Sequence, residues 1–392
     1  MSHHQQPSLT DIITHTGEER SAYFNAIAPP IIQTSNFVFD TVEDMQKAFA
    51  DELDYHIYTR GNNPTVEILR KKIAALEKTE DALITGSGAA AIATAMIANI
   101  QAGDHVICVQ KPYSWTYKLI SQVLNKFGVT YDFVDGRDIE NIMQAYRHNT
   151  KVLYLESPNT LTFELQDLDA CQKWAKENGV ITMIDNSHCS PLYQNPADFG
   201  IDIILHSATK YINGHSDVVA GAICASRSMI KKIFEESYMV LGTIISPHDA
   251  GLLLRGLRTF SLRVEKSNQT ALQLCEFLSC HPKIEEVIYP FHHSFPQYEL
   301  AHKQMRGAGG LVTIKLKSAD KAGVFRFIQK IQYFLKAVSW GGYESLMMPS
   351  IVFHDIPGKP DSPIHWSYVR LYCGLEDYEI LENDLSQALE SI

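Results

Sequence analysis

The order of strand and helix patterns along the sequence predicts an α/β protein with a mostly parallel sheet, followed by a smaller α+β region. From about residue 80 to about residue 225, apolar runs of strand length alternate with helical patterns, which favours parallel strands joined by right-handed crossovers. From about residue 284 onward, strands at 311–316 and 367–372 mix with helices at 321–330 and 378–389. We therefore predict an N-terminal arm at 1–60, a large domain at 61–260 and a small domain at 261–392.

The individual elements follow from local signals. The arm is predicted to be irregular apart from one short helix, because Pro29-Pro30 blocks helix and favours extended chain. Pro64 suits a first helical turn, which predicts a helix over 66–76. Apolar runs predict strands at 82–84, 105–109, 151–155, 180–184 and 201–205. Helices are expected over 170–177, from Pro247 behind a Ser246 cap, and over 262–279, where the last bridges to the small domain.

Composition excludes several classes of function. The chain has 392 residues and a formal net charge of −11, which argues against a nucleic-acid or anionic-membrane partner. No apolar run reaches the roughly 18 residues of a membrane span, and the N-terminus lacks a signal-peptide core, so a cytoplasmic protein is expected. Seven scattered cysteines favour neither a disulfide framework nor a zinc ribbon. His3-His4 and His292-His293 lie at no recognisable ligand spacing, so no metal is predicted.

The most informative stretch follows the apolar run 201–205. Ser207, Thr209 and Lys210 come directly after this predicted strand, at the edge where open α/β sheets bind ligands. A lysine there can form a Schiff base with a carbonyl cofactor, while the hydroxyls donate to a phosphate. Taken alone, this short motif would more often be a surface lysine in a polar loop.

Two other segments complete the pattern. Asp185 ends the apolar run 180–184, and a carboxylate there is costly unless it has a cationic or hydrogen-bonded partner. Gly88 and Ala89 open an Ala-rich helix, whose free backbone N–H groups form an anion site. A strand-end cap and an ordinary strand-to-helix turn are the alternatives for these two segments.

Taken together, 184–187 and 205–219 resemble the cysteine/methionine-metabolism family of pyridoxal-phosphate enzymes, with further matches from about Ala28 to about Asp377. That family includes cystathionine lyases, cystathionine synthases and methionine lyases. The resemblance implies a fold-type-I transferase fold and a pyridoxal 5'-phosphate cofactor. Lys210 would carry the cofactor, Asp185 would bind its pyridine nitrogen, and Gly88, Ala89, Ser207 and Thr209 would bind its phosphate.

The resemblance also assigns residues outside these segments. Tyr58 and Arg60 would reach into the site of a neighbouring subunit and grip the phosphate, within a homo-oligomer that is expected to be a tetramer. Tyr113 would stack on the pyridine ring. Relatives carry small residues where this chain has Trp115, a departure that bears on specificity. The asparagine expected to bond the phenolic oxygen is matched by Asn159 only with a one-residue shift, since Thr160 falls at the unshifted place.

Substrate contacts are implied by two C-terminal segments. Val338–Leu346 resembles a Ser-Leu-Gly-Gly-x-Glu-Ser motif in the Trp variant of some bacterial cystathionine β-lyases, which assigns Ser339 and Trp340 to substrate binding. By its own match, Arg370 would clamp the substrate α-carboxylate with help from Ser339. Lys210 would then remove the Cα proton, and Tyr113, with a lowered pKa, would assist further proton transfers.

Within this family the sequence favours cystathionine β-lyase-type C–S cleavage, because of Trp340. Val338 stands where several cystathionine γ-lyases carry Glu, so a charge for a distal amine is missing. Alternatives are γ-replacement on an O-acylhomoserine, as in cystathionine γ-synthase, and methionine γ-lyase activity. A non-catalytic scaffold, the alternative of another class, predicts loss of Lys210, Asp185 or Arg370, and all three are present.

Overall fold

The computed structural model of the chain describes residues 7–358 and 360–392. Its strands are β1 Asp81–Thr85, β2 His105–Val109, β3 Thr130–Val134, β4 Thr150–Glu156, β5 Ile181–Asp185, β6 Ile203–His206, β7 Gly221–Ala225, β8 Ile284–Ile288, β9 Leu311–Leu316, β10 Leu335–Lys336, β11 Leu346–Pro349 and β12 Tyr368–Tyr372. His3 and His4 lie outside the described residues.

The α-helices are α1 Leu9–Thr14, α2 Val42–Ala50, α3 Pro64–Leu76, α4 Gly88–Ile97, α5 Ser114–Lys118, α6 Ile139–Gln144, α7 Leu168–Glu177, α8 Ser190–Tyr193, α9 Arg227–Ile233, α10 Met239–Leu241, α11 Pro247–Leu257, α12 Phe260–Ser279, α13 Tyr298–Gln304, α14 Lys321–Lys330 and α15 Tyr378–Leu389. Short 3-10 segments (Arg20–Tyr23, Leu124–Phe127, Pro196–Phe199, Ser350–Phe353) and π-helical turns (Leu119–Val123, Phe234–Tyr238) interrupt the connections. None of the described helices is long and apolar enough to cross a membrane.

Seven strands form the larger sheet, in the order β1-β7-β6-β5-β4-β2-β3. The five strands from β6 to β3 are parallel to one another, whereas β7 runs antiparallel to both β6 and β1. Strands β4, β5 and β6 each contain an apolar, buried run (152–155, 183–184 and 203–205), as expected for parallel strands covered on both faces. The predicted α/β class with a mostly parallel sheet is therefore confirmed.

A second, mixed sheet has the order β10-β11-β12-β9-β8. Its strands are antiparallel except for β10 and β11. The 20-residue helix α12 leads into it and packs against β8 and β9. This is the smaller α+β region that the C-terminal pattern predicts, while the boundaries at 60/61 and 260/261 stay predictions.

The arm contains one more α-helix than predicted. Ser8 caps α1 in a reciprocal capping box with Asp11, and the Thr41 hydroxyl caps α2 by accepting the N–H of Asp44. Both helices are short and bury few side chains, since α2 buries only Ala48. Their start signals are local polar caps rather than apolar periodicity, which explains why a pattern search missed the second helix.

Candidate active site

Polar residues converge where the central strands end. Glu156 on β4 lies opposite Asp185 on β5, and Asp185 lies opposite Leu205 on β6, so the three carboxyl ends are level. Thr85 and His206 pair with the neighbouring positions Gly221 and Ala222 of β7, which brings the end of β1 to the same edge. The segments after β1, β4, β5 and β6 therefore face one region, as open α/β sheets require for a ligand site.

Lys210 lies in the tight loop after β6. Its backbone N–H donates to Ser207 O at 3.1 Å and its carbonyl accepts from Gly214 N at 2.8 Å, so the main chain is fixed. The ammonium donates to Ser339 Oγ and lies 5.4 Å from the centroid of the Trp340 ring. Burial, together with the charge of Arg370, lowers the pKa of Lys210 to about 8 against the opposing effect of Asp185. The site thus holds an amine that deprotonates readily.

Arg370 projects from β12 and is only 5% exposed. Its guanidinium donates to Thr160 O at 3.1 Å, to Thr160 Oγ1 at 3.3 Å and to Ser339 O at 3.4 Å. Across residues 7–358 and 360–392, it forms no ion pair with a carboxylate. Burial lowers the pKa of Arg370 to about 10, which leaves it charged at neutral pH. A buried cation of this kind is a receptor for an anion supplied from outside.

Two buried carboxyl groups, Glu156 and Asp185, lie side by side at the ends of β4 and β5. Asp185 accepts the backbone N–H of Ser187 at 2.9 Å, and Glu156 accepts that of Tyr113 at 2.7 Å. Burial raises the pKa of Asp185, and burial with the charge of Asp185 raises that of Glu156 well above its ordinary value. An added cation beside Asp185 would relieve this cost.

The first turn of α4 forms the opposite side of the site. The Ser87 hydroxyl accepts the N–H of Ala90 at 3.0 Å, whereas the N–H groups of Gly88 and Ala89 have no acceptor among the described residues. A Cβ on Gly88 would lie 2.8 Å from Ser207 Cβ, so only glycine permits this close approach of helix and loop. Two open amides thus stand beside the Ser207 hydroxyl, an arrangement that fits a phosphate.

Tyr113 occurs at the start of α5 and is 38% exposed. Burial raises its pKa, and the charges of Asp185 and Glu156 raise it further. The predicted lowering of the Tyr113 pKa is therefore wrong for the protein alone, because the groups that surround the phenol are carboxylates rather than cations. Its phenol still lies close enough to Asp185 and Glu156 for their charges to act on it.

Tyr58 and Arg60 form no hydrogen bond with the residues around Lys210 in the described chain. Both are exposed, the Arg60 guanidinium lies 5.8 Å from the Tyr58 ring centroid, and the pair borders a shallow cavity with Ile244 and Pro247. Within the described chain, neither residue forms a hydrogen bond or ion pair with Lys210, Asp185 or Arg370. The contact of Tyr58 and Arg60 with the phosphate of a neighbouring subunit stays a prediction.

The side chains of two predicted cofactor ligands, Asn159 and Thr209, form hydrogen bonds within the chain. Asn159 donates to Glu164 Oε2 at 3.1 Å and accepts from Thr162, so its amide closes its own turn. Thr160, not Asn159, faces the guanidinium of Arg370. The Thr209 hydroxyl donates to Ala220 O at 3.1 Å and accepts from Ala220 N at 3.0 Å, so donation to a phosphate would require it to release Ala220 O.

Sequence reasoning missed three buried groups around the site. Glu77, at the end of α3, binds His206 Nε2 at 2.5 Å and Asn186 Nδ2 at 2.7 Å, which ties together the ends of β5 and β6. His188 lies between the rings of Phe163 and Trp340, at 5.0 Å and 6.2 Å between centroids, and burial lowers its pKa to about 3. Glu156 ends an apolar strand as Asp185 does, a signal that could have identified it.

The sequence matches a family described as Cys/Met metabolism PLP-dependent enzyme over residues 10–390. L-Methionine gamma-lyase of Treponema denticola is 38% identical over 386 residues, with 96% of each chain covered. Its counterpart from Pseudomonas putida is 36% identical over 391 residues, with 98% of each covered. Cystathionine beta-lyase of Bacillus subtilis is 34% identical over 396 residues, covering 100% of this chain and 98% of that protein.

Structural comparison agrees with these matches. The crystal structure of metB from Corynebacterium glutamicum has a TM-score of 0.91 to this chain at 30% identity, with 98% of both chains covered. Fold and site thus define a pyridoxal-phosphate-dependent enzyme of fold type I. Within that class, the chain belongs to the family of cysteine and methionine metabolism.

The residues on this sheet edge fit the cofactor that the family requires. Gly88 and Ala89 offer open amides and Ser207 a hydroxyl to a phosphate, and Lys210 offers an amine of lowered pKa to an aldehyde. Asp185 is a buried carboxylate that forms no ion pair among the described residues, so it can receive a protonated pyridine nitrogen. Phosphate, aldehyde and pyridine nitrogen are three of the functional groups of pyridoxal phosphate.

Proposed function

We propose that the chain is a C–S lyase of sulfur-containing L-amino acids that works by γ-elimination, with methionine as the first candidate substrate. The observation that carries the proposal is the buried guanidinium of Arg370, which lacks a carboxylate partner in the described chain and lies beside Ser339 and Lys210. An α-carboxylate would complete a charge-assisted pair there. An α-amino group would then come close to the amine of Lys210.

Each residue has a defined task in this proposal. Arg370 and Ser339 hold the α-carboxylate and so orient the Cα–H bond. The amine of Lys210, which would hold the cofactor, would remove the Cα proton, since its lowered pKa permits proton uptake near neutral pH. When bound, pyridoxal phosphate would supply the electron sink for the charge left at Cα, and Asp185 would hold its pyridine nitrogen. Lys210 can then move a Cβ proton, so that the thiolate departs from Cγ.

The remaining predicted contacts support cofactor binding. Gly88, Ala89 and Ser207 would hold the phosphate, with Thr209 joining once its hydroxyl turns from Ala220. Tyr113 would cover the ring. Tyr58 and Arg60 would reach the phosphate of a neighbouring subunit in a homo-oligomer, because their exposed side chains lie apart from the Lys210 group of their own chain.

The preference for methionine rests on two points. The methionine gamma-lyases match this chain at higher identity than the cystathionine beta-lyase does. In addition, Val338 stands where several cystathionine γ-lyases carry Glu, so the acceptor expected for a distal ammonium of cystathionine is missing at that position. A methyl thioether needs no such acceptor.

Cystathionine β-elimination, the reaction first expected from the sequence, is the second candidate. Trp340 favours it, because its ring lies 5.4 Å from the Lys210 ammonium and forms part of the wall around the reacting group. The relatives with the higher identities put this reaction behind γ-elimination.

A substrate panel separates the two candidates. Purified holoenzyme is incubated with methionine, cystathionine, cysteine or O-acetylhomoserine, and pyruvate and 2-oxobutyrate are measured. We expect 2-oxobutyrate, methanethiol and ammonia from methionine. Pyruvate from cystathionine, with methionine inert, would reverse the order of the candidates, and a new thioether formed only with added cysteine would indicate γ-replacement instead.

Lys210→Ala and Arg370→Lys test the mechanism itself. Lys210→Ala should abolish every product and the borohydride-trapped cofactor, whereas Arg370→Lys should keep the trapped cofactor and raise KM, because Lys cannot form the two-pronged carboxylate contact. Turnover in Lys210→Ala would overturn the assignment.

A further inference from the structure

Three possible metal ligands meet on the surface of the C-terminal region, far along the sequence from Lys210. Glu276 projects from the last two turns of α12, while His292 and His293 belong to the loop that follows β8. One ligand atom from each of the three lies within 4.8 Å of the other two. We call these three residues the α12 cluster.

His292 is the buried member of the α12 cluster, at 2% exposure. Its Nδ1 lies 2.7 Å from Ser294 Oγ, whereas its Nε2 is shielded from solvent and has no hydrogen-bond partner among the described residues. A buried imidazole nitrogen without a partner costs about 1–3 kcal/mol. This nitrogen points toward Glu276, whose Oε1 lies 4.0 Å away, beyond hydrogen-bonding distance.

The loop holds this geometry through its main chain. The N–H of His292 donates to Tyr289 O at 3.0 Å, and the carbonyl of His292 accepts from Phe295 N at 2.9 Å. The rings of His292 and His293 are 4.2 Å apart between centroids, so both imidazoles face the same side. Glu276 is 69% exposed at its side chain and is free to close the remaining distance.

The second ring nitrogen of His292 also suits a metal ligand. Coordination through Nε2 requires the ring proton to be on Nδ1, where the Ser294 hydroxyl at 2.7 Å can accept it. The longer contact of 3.5 Å, in which Nδ1 accepts from the Ser294 N–H, would then be given up. Metal-binding histidines commonly donate their second N–H to such a partner.

We propose that the α12 cluster binds one Zn²⁺ per subunit through His292, His293 and Glu276. Two imidazole nitrogens and one carboxylate oxygen form a ligand set that zinc accepts at roughly 2.0–2.2 Å, with water in the fourth position. Mg²⁺ and Ca²⁺ prefer oxygen ligands alone. The ion would fasten the end of α12, which leads into the small domain, to the loop after β8.

The simplest rival is a His292–Glu276 ion pair without metal. Its separation of 4.0 Å is at the limit for such a contact, and the carboxylate is largely in solvent. An ion pair of that kind also leaves His293 without a role.

The test uses untagged holoenzyme in which His3→Ala and His4→Ala remove the N-terminal pair. After EDTA treatment and dialysis, ZnCl₂ is titrated by calorimetry into this protein and into His293→Ala, Glu276→Gln and His148→Ala. His148 is an exposed histidine outside the cluster, and Glu276 and His293 are also exposed, so folding of these variants should be preserved. Melting temperatures are recorded with and without Zn²⁺.

We expect one saturable equivalent per subunit and a Zn²⁺-dependent rise in melting temperature, since a ligand that binds only the folded state stabilises it. His293→Ala and Glu276→Gln should weaken binding at least about tenfold and lose the rise, whereas His148→Ala should keep both. The absence of saturable binding, or equal binding by all variants, would overturn the proposal. Neither result depends on whether the enzyme cleaves methionine.

Discussion

The guanidinium of Arg370 is a positive charge that is almost wholly shielded from water. In the part of the chain that the structure describes, it donates hydrogen bonds only to Thr160, to the Ser339 carbonyl and, weakly, to the Met348 sulfur. A charge in this setting contributes little to folding, because its desolvation offsets its hydrogen bonds. Arg263 is also buried, but it donates to the carbonyls of Tyr211 and Gly256 and to the Thr259 hydroxyl. The two arginines therefore offer a matched comparison of a binding role with a structural role.

We predict that Arg370→Met leaves the melting temperature of the apoprotein unchanged or raises it, while kcat/KM falls at least about 30-fold, corresponding to roughly 2 kcal/mol or more. Arg263→Met should instead destabilise the fold by about 1–3 kcal/mol, because it leaves buried carbonyls without donors. Calorimetric melting and steady-state kinetics measure both effects. Severe destabilisation by Arg370→Met would show that this arginine is structural.

Lys210 gives a prediction about pH. Its pKa of about 8 lies below that of a free lysine, so the neutral amine that attacks an aldehyde is present at about a tenth at pH 7 and predominates above pH 8. The rate at which apoprotein takes up pyridoxal phosphate should therefore rise with pH to a midpoint near 8. In Arg370→Met the midpoint should move upward, because a positive neighbour that lowers the pKa is gone. Stopped-flow absorbance across pH 6–10 measures this, and a downward move would contradict the assignment.

At the scale of single residues, the sequence predicted Lys210 and Asp185 but missed Glu156, although Glu156 also ends an apolar strand. Lys210 and Asp185 follow apolar runs, and the parallel sheet brings such ends together. Asn159 could not be placed, because its side chain is bonded within a turn whose shape depends on Thr162 and Glu164. Glu276 approaches His292 only because α12 packs on β8, a contact without a sequence signal.

Among the elements, α4 is the one whose first turn would bind the cofactor phosphate. It offers backbone N–H groups without an acceptor in the described chain, rather than a charged side chain. Ser87 caps the helix by bonding Ala90, so the N–H groups of Gly88 and Ala89 remain available. The strand before this helix and the small residues that open it were predictable from the sequence. The close approach of Gly88 to Ser207 was not, because it depends on how the loop after β6 packs against the helix.

We predict that Ala89→Pro weakens pyridoxal phosphate binding by about 10- to 150-fold, the loss of one hydrogen bond to a charged group at about 1.5–3 kcal/mol. Proline is tolerated in a first helical turn, where no intrahelical bond is lost, so the melting temperature of the apoprotein should change little. Cofactor titration of apoprotein measures the affinity. Ala89→Ser, which keeps the N–H, is the control, and equal affinity in Ala89→Pro would exclude this amide from the phosphate site.

At the scale of the whole molecule, the N-terminal arm has apolar side chains that the rest of the single chain does not cover. Its apolar side chains extend into solvent, among them Phe24, Ile27, Val38, Val42 and Phe49. Exposed apolar surface on this scale is typical of a face that another chain covers. The adjoining loop carries Tyr58 and Arg60, which, among the described residues, form no hydrogen bond with Lys210 or its partner Ser339. Both features favour an assembly in which the arm lies against a second copy.

If Arg60 serves the neighbouring subunit, two inactive variants should restore each other. Lys210→Ala lacks the amine but keeps Arg60, and Arg60→Ala lacks the guanidinium but keeps Lys210, so a mixed dimer contains one intact site and one doubly defective site. Unfolding and refolding an equal mixture should recover about a quarter of wild-type activity, since half of the dimers are mixed and half of their sites are intact. Each variant refolded alone is the control. No recovery, with mixed dimers demonstrated by mass spectrometry of intact assemblies, would confine Arg60 to its own subunit and remove the proposal of shared sites.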